Sequence, residues 1–520
     1  MPVSHVKKLI QKLKPKKSSG FDELSSELLK LGVDELSEPL TKIINASITE
    51  GKFPELWKIA KICPLYKKGD RMEISNYRPV ALLVVSSMIL ERAVAIQIED
   101  FFEKNSLLGD FQFGFRRNKS CVSELIQLYD TLMEAKLDKK EICLILYDLS
   151  AAFDTVCPKV LAEKLRIYGF QDQAMSWIES YLSGRRQAVS MDGEVSEEID
   201  VTLGTPQGSR LSPLLFLILM SDLNLHVDKS SLTNFADDTQ SCIVCDSQEE
   251  MKKIAQKEST EVVSFFKGIN LVNNATKATI LYNSKGKSET ITIENIGGAT
   301  LTSKHSEKLL GLNMAASLTW DTHVNKLSLK LRQKLGMLKR IRHKVGRHKL
   351  QIIGEAIFTS KIRYGIALYG TPKFDFSSQE QSLDANVQKL QVIQNDYIRV
   401  ICNLKRADHV VMKTVREKLR MMSVNQLNIY HVALEMFNIM VKSSAERLKK
   451  KFTLQENTSY SLRNRENGAV KVPAKPSKSY FSYNGPKLYN FLPEVIRKQK
   501  NPNIFKGLLK KWIWDNIPSV

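Results

Sequence analysis

Residues 142–147 (ICLILY) form a continuous apolar run that ends abruptly at Asp148. A run of this length predicts a β-strand that is buried on both faces. Two more short strands are predicted at residues 232–236 and 241–244, separated by a polar turn that contains Asp237 and Asp238. If the three strands share one sheet, their three carboxylates converge at one edge.

Converging carboxylates repel one another, so their placement is costly unless cations neutralise them. Mg²⁺ prefers carboxylate and phosphate oxygens. Two such ions about 3.5–4 Å apart clamp the attacking and leaving oxygens of an in-line phosphoryl transfer, as in a polymerase palm. An isolated Asp-Asp pair is more simply interpreted as an ordinary solvated turn. Asp237 and Asp238 therefore indicate a metal site only if other motifs support that interpretation.

Helical periodicity alternates with strand-like segments along the first 282 residues, which predicts a mixed α/β fold. The hairpin signal Asp192-Gly193 separates two short predicted strands, residues 187–189 and 198–203. The other elements are a strand over 278–282 and helices over 24–31, 36–48, 90–102, 123–134, 159–168, 214–223 and 249–267.

The chain carries 77 Lys and Arg against 56 Asp and Glu, a net charge of +21. Such an excess favours a polyanionic partner, most often nucleic acid. Between Asp321 and Leu350, ten Lys and Arg stand against one acid, and the leucines recur at helical spacing. This pattern predicts one basic amphipathic helix over 327–350. The polar stretch 453–486 predicts a linker, and a short helical tail is expected over 488–514.

A chain of 520 residues exceeds what one hydrophobic core usually supports, so two to four subdomains are expected. No apolar run reaches the roughly 20 residues of a membrane span. The basic N-terminus lacks the apolar block of a secretory signal. Seven scattered cysteines fit a reduced intracellular compartment. Cys242 and Cys245 form a CxxC without a second ligand pair, so we interpret them as strand residues and not as a zinc site.

The strings YDLSAAFD, GTPQGSRLSPLLF and FADD, in this order, resemble motifs A, B and C of reverse transcriptases. PLYKKGDRMEISNYRPV and FQFGFRRNKSC resemble the fingers motifs that precede them. The set is similar to the enzymes of non-LTR (LINE-type) retrotransposons of the jockey and chicken-repeat kind. The likeness continues loosely to YNGPKLYNFLPEVIR, which resembles the family's C-terminal tail.

The resemblance implies a right-hand polymerase with fingers, an antiparallel palm sheet packed on helices, a helical thumb and a small C-terminal region. The expected divisions are an N-terminal helical extension (1–45), fingers and palm (46–311), a basic helical thumb (312–452), and a linker with a tail (453–520). The implied activity is RNA-directed DNA polymerisation with two Mg²⁺ ions, or Mn²⁺ as a substitute. The implied partners are an RNA template, a DNA primer and deoxynucleoside triphosphates, with no membrane.

The resemblance also carries site roles, residue by residue. Asp148, Asp237 and Asp238 become the catalytic metal ligands. The expected nucleotide-binding residues are Lys67, Lys68, Arg78, Phe153, Gly204, Pro206, Gln207 and Gly208. The expected template–primer contacts are Arg116, Arg117, Lys330, Lys334 and Arg340. Lys277 is the candidate general acid, although Ala278 replaces the Thr that usually follows this lysine.

Phe153 matches the aromatic steric gate, which would collide with a ribose 2′-OH and so select deoxynucleotides; its other interpretation is an ordinary core aromatic. Asp154 is expected to be a structural acid. Cys121 and Ala151 stand where the family often has Thr and Lys, away from the carboxylates. The chain begins near the first motif, so an open reading frame without its endonuclease is expected.

Two other functions fit parts of the pattern. An RNA-dependent RNA polymerase shares the palm, but a bulky gate at Phe153 argues against it. A non-catalytic nucleic-acid-binding relic would bind without extending a primer, and the intact aspartates make it the minority interpretation. The expected location is intracellular, in the nucleus, the cytoplasm or both.

Overall fold

The protein is described here from a computed structural model, over residues 1–374, 383–405, 407–452, 469–472 and 480–518. Its α-helices are α1 Val3–Gln11, α2 Ser26–Leu31, α3 Val33–Glu50, α4 Val85–Lys104, α5 Cys121–Leu137, α6 Pro158–Ile167, α7 Asp172–Leu182, α8 Ser212–Leu219, α9 Gln248–Gly268, α10 Asp321–Ile341, α11 Arg347–Gly354, α12 Ser360–Arg363, α13 Ile366–Tyr369, α14 Ala385–Cys402, α15 Met412–Lys418, α16 Val424–Lys442, α17 Glu446–Lys451, α18 Phe481–Phe491, α19 Glu494–Arg497 and α20 Pro502–Asn516. Its strands are β1 Ile59–Tyr66, β2 Tyr77–Leu82, β3 Glu141–Tyr147, β4 Leu149–Ser150, β5 Arg185–Met191, β6 Glu194–Val195, β7 Ile199–Val201, β8 Ser231–Phe235, β9 Asp238–Cys245, β10 Val272–Asn273, β11 Thr279–Ser284, β12 Lys287–Ser288, β13 Thr292–Ile296, β14 Ala299–Thr302, β15 Ser306–Leu309 and β16 Leu312–Ala315.

The central sheet has the strand order β12-β11-β3-β9-β8, with antiparallel neighbours throughout. Strand β3 lies in its middle and is buried on both faces, as its continuous apolar run predicts. Cys143 and Ile145 pack on one face with residues of α9, whereas Ile142 and Leu144 pack on the other with residues of α5. Helices on both faces exclude water from the middle of the sheet.

A second sheet is formed by β2, β1 and β5, with β6 and β7 both pairing with β5. Strands β1 and β2 form an antiparallel hairpin, and β1 and β5 run parallel. The predicted turn Asp192-Gly193 joins β5 to β6, and Gly193 adopts the positive φ of 92° that favours glycine. The predicted pairing of this region is confirmed, because β7 pairs with β5 in antiparallel register.

The helices from α10 onward share one hydrophobic core with α5, so they are packed against the central sheet rather than attached by a linker alone. The rings of Tyr129 and Trp320 lie 4.9 Å apart between their centroids, and Tyr129 Oη donates to the carbonyl oxygen of Leu318 (2.9 Å). Farther along the chain, Ser482 donates through its backbone N–H and its hydroxyl to the Asp130 carboxylate (3.0 and 2.7 Å). The start of α18 is thereby fixed to α5.

The predicted α/β fold class is confirmed. Most predicted boundaries shift by a few residues, and two differences change how a segment is described. The basic segment is not one helix: α10 ends at Ile341 and α11 begins after Gly346, whose extended backbone interrupts the helix. Strand β9 begins at Asp238, so residues 239 and 240 belong to the ladder and not to the turn.

The predicted linker falls mainly on residues 453–468 and 473–479, which lie outside the described residues. Its last part is helical, since α18 begins at Phe481 and contains Pro486. Cys242 and Cys245 lie in β9, as expected. No helix in the described ranges is both long and apolar enough to span a bilayer.

Candidate active site

The end of β3 and the turn between β8 and β9 bring the three aspartates together. Tyr147 of β3 pairs with Thr239 of β9, so Asp148 and Asp238 flank the last rung of this ladder. Phe235 pairs with Asp238, which leaves Ala236 and Asp237 as a two-residue hairpin loop. The structure therefore brings Asp148, Asp237 and Asp238 to one edge of the sheet, as the three predicted strands implied.

The electrostatics of this cluster are those of crowded carboxylates. Burial and the charge of Asp148 raise the pKa of Asp237. Burial, together with the charges of Asp237 and Asp148, raises the pKa of Asp238 from 3.8 to about 6. A bound divalent cation would relieve this repulsion and favour the ionised carboxylates.

The donor set fits Mg²⁺ in its chemistry, because all three side chains offer hard carboxylate oxygens. Within the described ranges, no group of three or more His, Cys, Asp or Glu side chains is arranged so that it could hold a metal ion by itself. Partial ligation by protein is the usual situation for Mg²⁺, which retains waters and takes the remaining oxygens from substrate phosphates. The cluster is thus an open carboxylate edge rather than a preformed cage.

Lys277 lies against this cluster, with its Nζ 3.3 Å from Asp148 Oδ2. The backbone carbonyl oxygen of Asp148 accepts from Asn274 N (2.8 Å), which ties the end of β3 to the segment that carries Lys277. The predicted general acid is therefore beside the carboxylates, where its ammonium neutralises part of their charge.

A cleft of about 910 Å³ opens in front of Asp148 and Asp237. It brings together residues from both fingers-like motifs and from the strings that resemble motifs A and B. The site residues that line it are Lys67, Arg78, Asp148, Phe153, Pro206, Gln207, Gly208, Asp237 and Lys277. This volume is in the range of a small-molecule site, and a nucleoside triphosphate is a ligand of that size.

Pro206, Gln207 and Gly208 form one wall of the cleft, whereas Gly204, at the start of the same loop, lines a neighbouring cavity. Gly204 has a φ of +87°, and a Cβ there would lie 2.8 Å from the carbonyl oxygen of Asp154. Gly208 also has a positive φ, +88°. Gln207 Nε2 donates to Asp154 Oδ1 (2.7 Å), so Asp154 holds the loop and has the structural role that the sequence suggested.

Phe153 stands at the base of the cleft between two other aromatic rings. It is stacked on Phe216 with centroids 4.6 Å apart and meets Phe115 edge-on at 6.2 Å. The ring is only partly buried and lines the cleft, so it is both a packing residue and a wall of the site.

The predicted basic contacts divide into two groups. Lys67 and Arg78 line the cleft, whereas Lys68 is exposed in the β1–β2 loop and does not. Arg116 is engaged within the protein: its side chain is only 5% exposed and binds Glu103 (Nη2 to Oε2, 2.7 Å). A guanidinium occupied in this way supports the loop and is not free for a template.

Arg117 is half exposed but binds two carboxylates of α4, Glu99 at 2.9 Å and Asp100 at 2.8 Å. Its charge is therefore largely compensated on the protein. Of the α10 residues, Lys330 and Lys334 line a groove of about 490 Å³ that also includes Lys308 and Lys326. Arg340 lies farther along α10, exposed and outside this groove.

Sequence reasoning missed two residues of the FQFGFRRNKSC string. Gln112 is buried against the turn that carries Asp237, and Gly114 touches the same turn. The available signal was a single polar residue inside the aromatic segment Phe111–Phe113.

A family model described as "Reverse transcriptase (RNA-dependent DNA polymerase)" matches residues 66–314. The chain is 28% identical over 402 residues to the Drosophila melanogaster "Probable RNA-directed DNA polymerase from transposon X-element", covering 74% of this chain and 42% of that protein. It is 27% identical over 419 residues to the Drosophila funebris "RNA-directed DNA polymerase from mobile element jockey", covering 77% and 43%. The chain thus spans about two fifths of the length of these relatives.

Among solved structures, an apo telomerase from Candida tropicalis truncated from its C-terminal domain aligns with a TM-score of 0.37 and 13% identity, over 55% of this chain and 59% of that one. The family match covers the central sheet, the acidic turn and the cleft. Residues 66–314 are therefore a reverse transcriptase domain, and the chain is a homologue of the RNA-directed DNA polymerases of non-LTR retrotransposons.

Proposed function

We propose that this chain is an RNA-directed DNA polymerase that extends a DNA primer on an RNA template. The observation that carries the proposal is the convergence of Asp148 with the Asp237–Asp238 turn. Asp148 and Asp237 line the same cleft as Phe153 and Gln207, and Asp238 lines an adjoining cavity that also includes Asp148. Acidic, basic and aromatic groups of this kind suit a nucleotide whose α-phosphate lies near the carboxylates.

Asp148, Asp237 and Asp238 would hold two Mg²⁺ ions, or Mn²⁺ in their place. When bound, the ions would make the primer 3′-OH a better nucleophile and neutralise the charge that develops on the phosphates. Because Lys67 and Arg78 line the same cleft, they would bind the β- and γ-phosphates as cations. Lys68, exposed in the same loop, would add charge at the entrance.

The cleft wall would select the nucleotide. Phe153 would fill the space beside the sugar C2′, so that a ribose 2′-OH would meet its ring. Gln207 and the neighbouring Gly208 backbone would contact the incoming nucleotide, since glycine permits close approach. Lys277, held beside Asp148, would give a proton to the leaving pyrophosphate.

The subdomain division we propose is an N-terminal helical extension (1–45), fingers and palm (46–311), a basic thumb (312–452), and a linker with a tail (453–520). Lys330, Lys334 and Arg340 of α10 would hold the template–primer duplex by its phosphates, with little reading of base sequence. Arg117 would contribute at most weakly, because α4 already pairs its charge.

The location we propose is intracellular, in the nucleus or cytoplasm, where the RNA template would be found. All seven cysteines are free, which fits a reducing compartment.

The test is extension of a labelled DNA primer on an RNA template, with Mg²⁺ and with either deoxy- or ribonucleotides. We expect extension with deoxynucleotides that chelation abolishes. Preferred use of ribonucleotides would favour an RNA-dependent RNA polymerase instead. Tight template binding without extension under any metal would favour a non-catalytic binding protein and overturn the proposal.

A further inference from the structure

The segment Phe111–Gly114 pairs with the strand that leads into the acidic turn. Phe113 N donates to the carbonyl oxygen of Asn234, and Asn234 N donates to that of Phe111, both at 2.8 Å. The two segments form an isolated parallel bridge between Gln112 and Asn234. A piece of chain more than 120 residues upstream therefore lies directly beside the loop that carries Asp237.

The acidic turn contains a residue in an unfavourable conformation. Ala236 has a φ of +58°, in the left-handed region, while Asp237 is not among the residues with positive φ. A two-residue hairpin loop with positive φ only at its first position normally has glycine there, because a Cβ costs about 1 kcal/mol or more. Other contacts must hold Ala236 in this conformation.

The side chain of Gln112 supplies one such contact. Its Oε1 accepts from Ala236 N (3.0 Å) and from Gly114 N (2.9 Å), and the residue is only 1% exposed. Both partners are N–H donors, so the amide oxygen must face them. Burial removes water as a competing acceptor, and the hydrogen bond to Ala236 is correspondingly hard to replace.

Gly114 allows this close approach. A Cβ at Gly114 would lie 2.3 Å from Ala236 N and 3.0 Å from Ala236 Cα, distances that no side chain can occupy without moving the turn. The segment is in turn anchored by Arg116, whose guanidinium binds Glu103 of α4 and the carbonyl oxygen of Gly109. The acidic turn is therefore connected to α4 through the Gln112 segment.

We infer that Gln112 and Gly114 are positioning residues, which fix the left-handed Ala236 and thereby the direction of the Asp237 and Asp238 carboxylates relative to Asp148. This inference rests on the proposed polymerase function for its catalytic consequence. It does not place Gln112 in contact with substrate. Loss of the hydrogen bond frees the turn to relax toward a conformation that suits alanine, which moves Asp237 away from the end of β3.

The experiment compares Gln112→Leu with the unmodified protein in the full chain, with Gln127→Leu as the matched control. Gln127 is also 1% exposed, but its amide has no hydrogen-bond partner in the described structure. We expect Gln112→Leu to lower the kcat of primer extension about 10- to 100-fold and to raise the Mg²⁺ concentration for half-maximal rate. Gln127→Leu should match the unmodified protein.

A second-site change tests the mechanism directly. Because glycine adopts positive φ without cost, Ala236→Gly combined with Gln112→Leu should recover at least about tenfold of the lost kcat. Equal losses with and without Ala236→Gly would overturn the inference, as would a wild-type kcat for Gln112→Leu. If Gln112→Leu does not fold, Gly114→Ala is the substitute, and the same drop in kcat is expected.

One readout does not depend on catalysis. The backbone amide of Ala236 should exchange with deuterium at least about tenfold faster in Gln112→Leu than in the unmodified protein or in Gln127→Leu. Faster exchange in Gln112→Leu, together with no primer extension by the unmodified protein, would support the positioning role of Gln112 and refute the proposed polymerase function. Unchanged exchange in Gln112→Leu would refute the positioning role of Gln112 even if the unmodified protein extends primers.

Discussion

Tyr147 and Thr239 lie opposite each other in the antiparallel ladder of β3 and β9, and this pairing brings Asp148 and Asp238 to the same end of the central sheet. A shift of one residue in this register would turn every side chain of β9 to the opposite face. Because β3 is buried on both faces, such a shift is costly, and the position of the acidic cluster is fixed by packing.

Replacing Asp237 with Asn should abolish primer extension while leaving the fold intact. Asparagine keeps the size of the side chain but offers a metal one neutral oxygen, and it relieves the charge repulsion with Asp148. We expect kcat to fall by about 100-fold or more, with the thermal midpoint unchanged or slightly higher. Steady-state extension and thermal unfolding measure the two effects. Wild-type extension by Asp237→Asn would contradict the assignment.

Replacing Phe153 with Ala should relax sugar discrimination. The ring lines the cleft, and its removal opens space beside the nucleotide sugar. We expect the ratio of kcat/KM for deoxy- over ribonucleotides to fall by about 10- to 100-fold. Phe153 also stacks on Phe216, so Phe216→Leu serves as the control for lost packing alone. An unchanged ratio in Phe153→Ala would refute the gate.

Replacing Lys330 and Lys334 together with Gln should reduce the salt dependence of template–primer binding. Both line the basic groove, and each phosphate contact contributes about one unit to the slope of log Kd against log salt concentration. We expect the slope to decrease by about two, nearly equally for different base sequences. Arg340 lies outside the groove but is also a proposed phosphate contact, so Arg340→Gln alone should decrease the slope by about one. An unchanged slope in the double variant would refute the groove as a binding surface.

Replacing Arg116 with Gln should lower stability more than it changes binding. Its guanidinium is nearly closed to solvent and bonds to the Gly109 carbonyl oxygen and to Glu103, whose side chain is 35% exposed. Without Arg116 the Glu103 carboxylate loses its main hydrogen-bond partner, although Lys119 and Arg117 still favour its ionised form, so we expect a loss of about 1 to 2 kcal/mol. Denaturant unfolding measures this loss. A large change in template affinity with unchanged stability would restore Arg116 as a nucleic-acid contact.

Asp130 should make the stability depend on pH. Burial raises its pKa from 3.8 to about 6, although Ser482 and Lys451 favour its ionised form. The folded protein therefore holds the proton more tightly than the unfolded chain. The contribution of Asp130 to stability is complete below about pH 4, and it is lost as the pH rises to about 6, by about 3 kcal/mol in total. Asp130→Asn has no such group, so its unfolding free energy relative to wild type should rise over this range; a constant difference would contradict the prediction.

The sequence by itself determined the local elements and the chemistry of the site. Three features could be identified from the sequence alone: the apolar run before Asp148, the paired aspartates after β8 and the Gly204–Gly208 loop. Burial and turn geometry impose recognisable patterns on neighbouring residues. Their resemblance to polymerase motifs then supplied the roles, and the family match covers the same region.

Only the tertiary structure decided which side chains meet across long separations. In the folded chain, Lys277 contacts Asp148, Arg116 binds Glu103, and the Gln112 side chain accepts a hydrogen bond from Ala236 N. Nothing in the local pattern around Gln112 or Arg116 distinguishes a surface contact from a buried one. A hydrogen bond between residues over a hundred positions apart depends on strand register and packing, and these arise only when the whole sheet forms.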